Sequence, residues 1–199
     1  MKEFWDKRYS DPEYVYGKQP NEYFSKVLDG LKPGKLLLPG EGEGRNAIYA
    51  AKKGWEVTAI DFSLQAKEKA IKFASENNVE IDYIVTSIEN YSFPEREFDA
   101  AALIYAHFPP DIREKIHTSI AKSLRPGGTL IIEAFSKKQI YNNTGGPKEL
   151  FLLYEIEELR NDFRDLIIEE SQEFKIELTE GKYHKGIADI IRLKAKSRF

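Results

Sequence analysis

The chain has 199 residues, 41% hydrophobic and 32% charged, with a formal net charge of −3. That is enough chain for a single domain, 1–199, with a real core, and its charge balance argues against nucleic acid or an anionic membrane as the main partner. It has no cysteine, which excludes disulfides, thiolate metal sites and cysteine nucleophiles.

In chain order, residues 1–10 mix charge with aromatics and do not read as a signal peptide. No apolar run approaches membrane-spanning length, so a cytoplasmic protein is expected. Phe4, Trp5, Tyr9, Tyr14 and Tyr16 crowd the first segment, 1–30, which reads as an aromatic cap with helices. So many aromatics are expected to cover either a sheet edge or a ligand. Pro20 opens a helix at its first turn. Lys32-Pro33-Gly34 turns into a strand over 35–39. Three glycines at every second position follow, Gly40, Gly42 and Gly44, and then a helical pattern over 45–53. A second strand over 55–60 ends at Asp61, and Ser63 caps a helix running to about residue 77. Strands are expected over 81–85 and 98–105, the latter apolar on both faces as a central parallel strand is. A helix over 110–124, the turn Arg125-Pro126-Gly127-Gly128 and a strand over 129–135 complete the core, 31–135. In the last third, 136–199, a polar loop with Gly145-Gly146-Pro147 precedes a helix over 154–163. Two β-like runs, 167–178 and 186–195, are joined by Thr179-Glu180-Gly181-Lys182, a link short enough to force antiparallel pairing.

This rhythm predicts an α/β fold, a mostly parallel sheet with helices on both faces. Strand, glycine-rich turn and helix are what a nucleotide-type ligand needs. Glycine lets the backbone pass close, and the helix start offers unpaired N–H groups. A carboxylate at the next strand tip can accept both hydroxyls of a ribose, which is the role expected of Asp61. Because Ser63 sits at the better cap position, Asp61 is expected to be free for it. Gly42, Gly44 and Ala47 also satisfy a dinucleotide spacing, so a nicotinamide cofactor is the rival ligand. Ligands of open α/β sheets bind outside the carboxyl ends of the strands. This makes Tyr105, Ala106 and His107, at the tip of the fourth strand, candidates for the reacting centre. His117 falls within a helix and is expected at the surface, and His184 is expected in the hairpin turn, within reach of the site rim. Three scattered histidines give no metal-ligand spacing, so no metal is expected.

Together these residues resemble the class I S-adenosylmethionine-dependent methyltransferases: the glycine turn after strand one, the acid ending strand two and the Arg-Pro-Gly-Gly turn before strand five. Within that family the chain looks most similar to the small-molecule branch related to tellurite-resistance and thiopurine methyltransferases. That similarity rests on Trp5-Asp6-Lys7-Arg8-Tyr9, on Gly40-Glu41-Gly42-Glu43-Gly44-Arg45-Asn46 and on Thr144-Gly145-Gly146-Pro147-Lys148. The resemblance implies a Rossmann-like fold with a seven-stranded sheet whose last strand is inserted antiparallel. It also implies S-adenosylmethionine as cofactor and S-adenosylhomocysteine as product. Cofactor contacts are expected from Gly40, Glu41, Gly42, Gly44, Arg45, Asn46, Asp61, Phe62, Ser63, Tyr105 and Ala106, with Ser87, Ile88 and Glu89 where the family seats adenine. Two positions depart from the family pattern: Leu38 and Ser87 stand where many members carry an acid, and Glu41 or Glu43 is a candidate to replace the first. Trp5, Tyr9, Tyr16, His107 and His184 are expected on the acceptor side, and Arg8 is a candidate partner for the cofactor carboxylate or else a solvated arginine.

The implied reaction is methyl transfer to a small molecule by in-line displacement. A thiolate, selenide or telluride needs no base, whereas an oxygen acceptor would need one, with His107 or Tyr105 as candidates. A nicotinamide-dependent oxidoreductase and a non-catalytic cofactor-binding protein remain as alternatives. No macromolecular partner is expected, and the size suits a monomer.

Overall fold

The structure is a computed structural model and describes residues 2–198. Seven strands form one sheet: β1 (Lys35–Pro39), β2 (Glu56–Asp61), β3 (Asp82–Val85), β4 (Phe98–Ile104), β5 (Leu124–Phe135), β6 (Ile167–Glu180) and β7 (His184–Lys196). Their spatial order is β3-β2-β1-β4-β5-β7-β6. β1 to β5 run parallel, and β7 enters antiparallel between β5 and β6. This is the seven-stranded, mostly parallel sheet with a C-terminal antiparallel hairpin that the sequence predicts.

Six α-helices accompany it: α1 (Lys2–Tyr9), α2 (Glu22–Leu28), α3 (Arg45–Lys52), α4 (Leu64–Glu76), α5 (Pro110–Ser123) and α6 (Ile156–Asp162). β1 shows why both faces are covered. Leu37 packs with Ile60, Leu103, Ile116 of α5 and Leu159 of α6. Its neighbours Leu36 and Leu38 point the other way, against Phe24 of α2, Ile48 of α3 and Phe73 of α4. A strand alternates faces at every residue, so a continuous leucine run requires two apolar layers. Gly44 starts α3 at φ +88°, and a Cβ there would come within 2.8 Å of Ala70 on α4. Glycine is thus required both by the backbone and by the close approach of two helices. Ser63 caps α4 by accepting from the Ala66 N–H.

Several boundaries differ from the sequence expectation. Pro20 lies before α2 rather than in its first turn, and the Asn21 side chain caps that helix through the Phe24 N–H. Arg125-Pro126-Gly127-Gly128 is not a turn ahead of the strand; β5 runs through it, with a register shift opposite Phe98 and Ala100. Ser197 holds that stretch from the far side, its N–H donating to the Gly128 carbonyl. The hairpin strands are longer than expected and His184 begins β7, so it is a strand residue and not a turn residue. Among the described residues no helix is long and apolar enough to cross a membrane.

Candidate active site at the strand tips

Most of the candidate residues converge at the C-terminal ends of β1, β2, β4 and β5. Gly40, at φ +72°, abuts Ala106 just past β4: a Cβ on Gly40 would stand 3.0 Å from the Ala106 methyl. Gly42 is held on three sides. Its N–H donates to Asp61 Oδ2 (3.1 Å), its carbonyl accepts from the Tyr83 hydroxyl (2.6 Å), and the Tyr9 phenol lies against its open face. The turn is a cradle that side chains would fill.

Asp61 is buried, and it is not free as the sequence suggested. Oδ1 accepts from the Ser63 N–H (2.9 Å) while Oδ2 accepts from Gly42, so the carboxylate ties the glycine turn to the start of α4. Each oxygen keeps a second lone-pair direction for a ligand hydroxyl. Burial pushes its pKa up to about 6, against the pull of those N–H groups. Glu41 turns back onto α3, where Oε1 accepts from Asn46 N (2.9 Å) and Ala47 N (2.7 Å). Burial raises its pKa to about 7. Glu43 is buried and paired with Lys69, and its other oxygen accepts from the Val15 N–H.

Past the turn, a buried polar network links the elements around the crevice. Glu133, 1% exposed on β5, accepts from Asn21 Nδ2, Tyr105 Oη and Arg192 Nε, each at 2.6 Å. Glu180, at the end of β6, accepts from Arg45 (2.8 Å), Asn21 (3.0 Å) and the His184 ring (3.3 Å). These bonds hold Glu180 down to about 2 despite its burial. Tyr105 sits at φ +54°, a strained region for a bulky residue, with its ring stacked on Phe135. Burial and Glu133 push its hydroxyl well above the ordinary range. Asn46 receives the Asn21 N–H at its side-chain oxygen.

His107 has both ring nitrogens engaged by the backbone. Nδ1 donates to the Leu152 carbonyl (2.7 Å), and Nε2 accepts from the Phe135 N–H (3.2 Å). Burial lowers its pKa to about 4, so the ring is neutral, with its tautomer set by these two bonds. His184 is also buried and lowered by burial, lodged between Tyr16, Tyr105 and Phe135. His117 corrects the sequence reading: it is 0% exposed, stacks on Phe163 and bonds Asp162 Oδ2 at 2.8 Å. It lies on the inward face of α5 with Ile116 and Ile120, where it meets Phe108 and Tyr154 behind His107.

Four of the N-terminal aromatics, Phe4, Trp5, Tyr9 and Tyr16, form one cluster over the turn, while Tyr14 packs on Phe73 of α4. Trp5 stacks on Tyr9, Tyr16 reaches His184, and Asp6 bonds the Ser63 hydroxyl. Arg8 is half-buried: it lies over the rings of Phe4 and Tyr183 and donates to Tyr16 Oη. A short 3-10 turn, Ile88–Asn90, follows β3 with Ser87 at its start; Ile88 lies against the core and Ser87 is bonded to Glu89. Phe62 is half-buried beside Asp61. Among the described residues no group of three or more acids and histidines is arranged to hold a metal ion. A surface cleft of about 280 Å³ lies at the opposite ends of the strands, where β4 and β5 begin, by Arg96, Lys122 and Arg198, and has no part in this site.

Sequence reasoning passed over Asn21, Tyr83, Glu133 and Glu180. Glu133 carried a readable signal, a lone acid inside an otherwise apolar strand, which a fold tolerates only with partners. Asn21 and Glu180 carried none, since capping and surface roles account for such residues equally well.

A model of a methyltransferase domain matches residues 37–128. A ubiquinone biosynthesis O-methyltransferase of Alkalilimnicola ehrlichii is 31% identical over 118 residues, covering 58% of this chain and 47% of that protein. The chain spans about half the length of the curated relatives it matches. A structure from work on the conversion of a disulfide bond into a thioacetal group during echinomycin biosynthesis superposes with a TM-score of 0.82 at 19% identity, covering 100% of this chain and 92% of that one. TehB from Haemophilus influenzae superposes at 0.74 with 17% identity, covering 99% and 67%. At these identities the structural likeness is one of fold. With the domain match lying across the glycine turn and the β1–β5 core, residues 37–128 are similar to a methyltransferase domain, and the fold around them is that of the S-adenosylmethionine-dependent methyltransferases solved among its neighbours.

Proposed function

We propose that this chain transfers a methyl group from S-adenosylmethionine to a small-molecule acceptor, and that the acceptor is a soft nucleophile such as a thiolate, selenide or telluride. The observation that carries the acceptor class is the state of His107, whose two nitrogens are both bonded to backbone groups. Tyr105 donates to Glu133 and is held in its neutral form, and His184 Nδ1 faces Glu180. Neither His107 nor Tyr105 is placed to take a proton, and a soft anion brings none to take.

When bound, the cofactor supplies a methyl group already activated by its positive sulfur. The chain's own task is binding, alignment and exclusion of water. Gly40 and Gly42 let the turn's backbone approach the ligand, and Asp61 offers its remaining lone pairs to the ribose. Ile88 is the wall for the adenine ring, with Ser87, Glu89 and Phe62 around it; Ser63 and Asn46 fix Asp61 and Glu41. Trp5, Tyr9 and Tyr16 present ring faces toward the sulfonium, each worth ~0.5–2 kcal/mol where water is excluded. Tyr105, Ala106 and His107 shape the floor on which the acceptor meets the methyl group, at a near-attack distance of about 3–3.5 Å. The fold neighbour solved in work on a thioacetal supports a sulfur acceptor, and the likeness to TehB supports the tellurite-resistance branch. The curated relatives are named for O-methyl transfer, which is the second reading. It requires a proton acceptor supplied by the substrate or by a rearranged loop.

The test is calorimetric titration with S-adenosylmethionine, S-adenosylhomocysteine, NAD and NADP on the wild type and on Asp61→Ala, followed by turnover assays with thiol, selenium, tellurium and catechol acceptors. Micromolar binding of the first two ligands, weakened in the variant, and turnover confined to soft acceptors is the expected result. Nicotinamide binding alone makes the chain an oxidoreductase. Cofactor binding with no turnover makes it a binding protein, and turnover of the catechol alone selects the oxygen reading.

A further inference from the structure

Three non-glycine residues among those described have φ in the left-handed region: Asn78, Arg96 and Tyr105. Asn78 is of a type that adopts it readily, and Arg96 lies in an exposed turn. Tyr105 has neither reason. It is a bulky residue just past β4, where the chain leaves the sheet toward Ala106 and His107. Such a conformation costs free energy and persists only where its surroundings over-determine it. Here one residue supplies two of the restraints. The Glu133 carbonyl accepts from the Tyr105 N–H (2.7 Å), and Glu133 Oε1 accepts from the Tyr105 hydroxyl (2.6 Å). Glu133 thus grips Tyr105 at both ends, backbone and phenol. Phe135, two residues on along β5, takes the ring face at a centroid separation of 4.5 Å.

Glu133 is itself fixed. Oε1 also accepts from Asn21 Nδ2, and Oε2 accepts from Arg192 Nε. Arg192 balances the charge of this buried acid, and the Tyr105 hydroxyl adds nothing to that balance. What it adds is a hold on the strand tip. Tyr105 leads into Ala106, whose methyl lies 3.0 Å from the place of a Cβ on Gly40, and into His107, braced by Leu152 and Phe135. A change of φ at Tyr105 would swing both residues relative to the glycine turn. We propose that Glu133 is a positioning residue for methyl transfer. By holding Tyr105 in its left-handed conformation, it sets the acceptor floor against the cofactor turn. This rests on the methyl-transfer reading above. Where alignment is the chain's main lever on rate, a misplacement of about 1 Å can cost ~100-fold.

The test is a double-mutant cycle on kcat, with thiophenol, benzeneselenol and catechol as acceptors. Glu133→Gln sets an amide group against Arg192 or Asn21, which loosens the grip on the phenol. Tyr105→Phe removes the hydroxyl and keeps the ring on Phe135. Each single variant is expected to lower kcat tenfold or more, while S-adenosylhomocysteine affinity, read by calorimetry, changes less than twofold. The double variant is expected to be no slower than the slower single one, because both changes cut the same bond. Alanine-methyl NMR on the free chain gives a readout without turnover: the Ala106 resonance should move in each variant, and thermal melts check that each is folded. Losses that multiply in the double variant overturn the proposal, since Glu133 then acts by another route. If Glu133→Gln does not fold, Tyr105→Phe decides alone: kcat within twofold of the wild type and an unmoved Ala106 resonance overturn it. A wild type that binds no S-adenosylhomocysteine, or methylates none of the acceptors, removes the reading on which the role rests, an outcome separate from those two.

Discussion

His107 occupies the position where a general base would be sought, and its bonding makes it a strut between β5 and the loop ending at Leu152. Two neutral hydrogen bonds and a buried ring predict how it behaves. His107→Gln is expected to lose ~1–3 kcal/mol of stability, the cost of buried partners left imperfectly paired. It should leave the pH dependence of turnover between pH 6 and 8 unchanged. A wild-type rate that rises through an ionisation near 6.5, absent in the variant, would show a working base instead. Glu41 predicts a pH effect of the opposite kind. Its folded-state pKa is raised from 4.5 to about 7 by burial, opposed by its bonds to Ala47 and Asn46 and by the Arg45 charge. A raised carboxylate costs stability above pH 7, and that cost disappears as pH falls below 4.5, where both states are protonated. Glu41→Gln should therefore stabilise the free chain at pH 8, by up to ~3 kcal/mol, and not at pH 4. Chemical denaturation at the two pH values checks this. The type and place of these residues were readable from the sequence, because glycines at alternate positions and an acid at a strand tip constrain the backbone directly. Their bonding was not. Whether Asp61 is free or tied to Gly42, and whether His117 faces water or Phe163, depends on which helix face meets which loop, and a single helical histidine does not encode that.

At the scale of elements, the network through Asn21, Arg45, Glu133 and Glu180 fastens α2, α3, β5 and the β6–β7 hairpin to one another. The strand-turn-helix alternation made the β1–β5 core legible, since its signals are local. The hairpin was legible as a pair of runs but its ends were not, because Thr179, Glu180 and His184 are held in strand pairing by cross-strand partners and by contacts with Arg45 and Tyr16. Removing one member of a buried ion pair strands the other, which typically costs ~3–5 kcal/mol. Glu180→Ala is accordingly expected to lower the unfolding free energy by about that amount. It should also raise amide exchange at 176–188 more than in β1, which exchange mass spectrometry reads. A uniform rise in exchange would mean that the hairpin has no anchorage of its own. Glu180 also gives the chain an acid limit. Its pKa is held at about 2 by His184 and Arg45, so its contribution is complete above pH 4.5 and is lost as pH falls toward 2.

At the scale of the whole molecule, residues 3–18 are laid across the glycine turn, with α1 packed against α4. Tyr9 covers Gly42, Trp5 stacks on Tyr9, and the Val15 N–H is fixed by Glu43. A ligand seated against Gly42 and Asp61 would compete with the Tyr9 phenol for space, so cofactor binding is expected to shift α1. The two tryptophans of the chain make that motion measurable, since Trp5 belongs to the moving segment and Trp55 is buried at 4% exposure with Phe24 and Ile48. In Trp55→Phe, where Trp5 is the only indole, saturating S-adenosylhomocysteine should change the emission maximum or intensity, because the stack on Tyr9 is broken or exchanged for the ligand. In Trp5→Phe the remaining signal from Trp55 should stay constant. Silence from Trp5 during binding confirmed by calorimetry would mean that the ligand enters beneath a fixed α1, with Tyr9 a permanent wall of the site. A response from both would place the change in the core, beyond a local displacement. The choice between these outcomes sets how the aromatic segment acts on turnover, since a cap that must open for each exchange of product for cofactor limits the rate by its own motion.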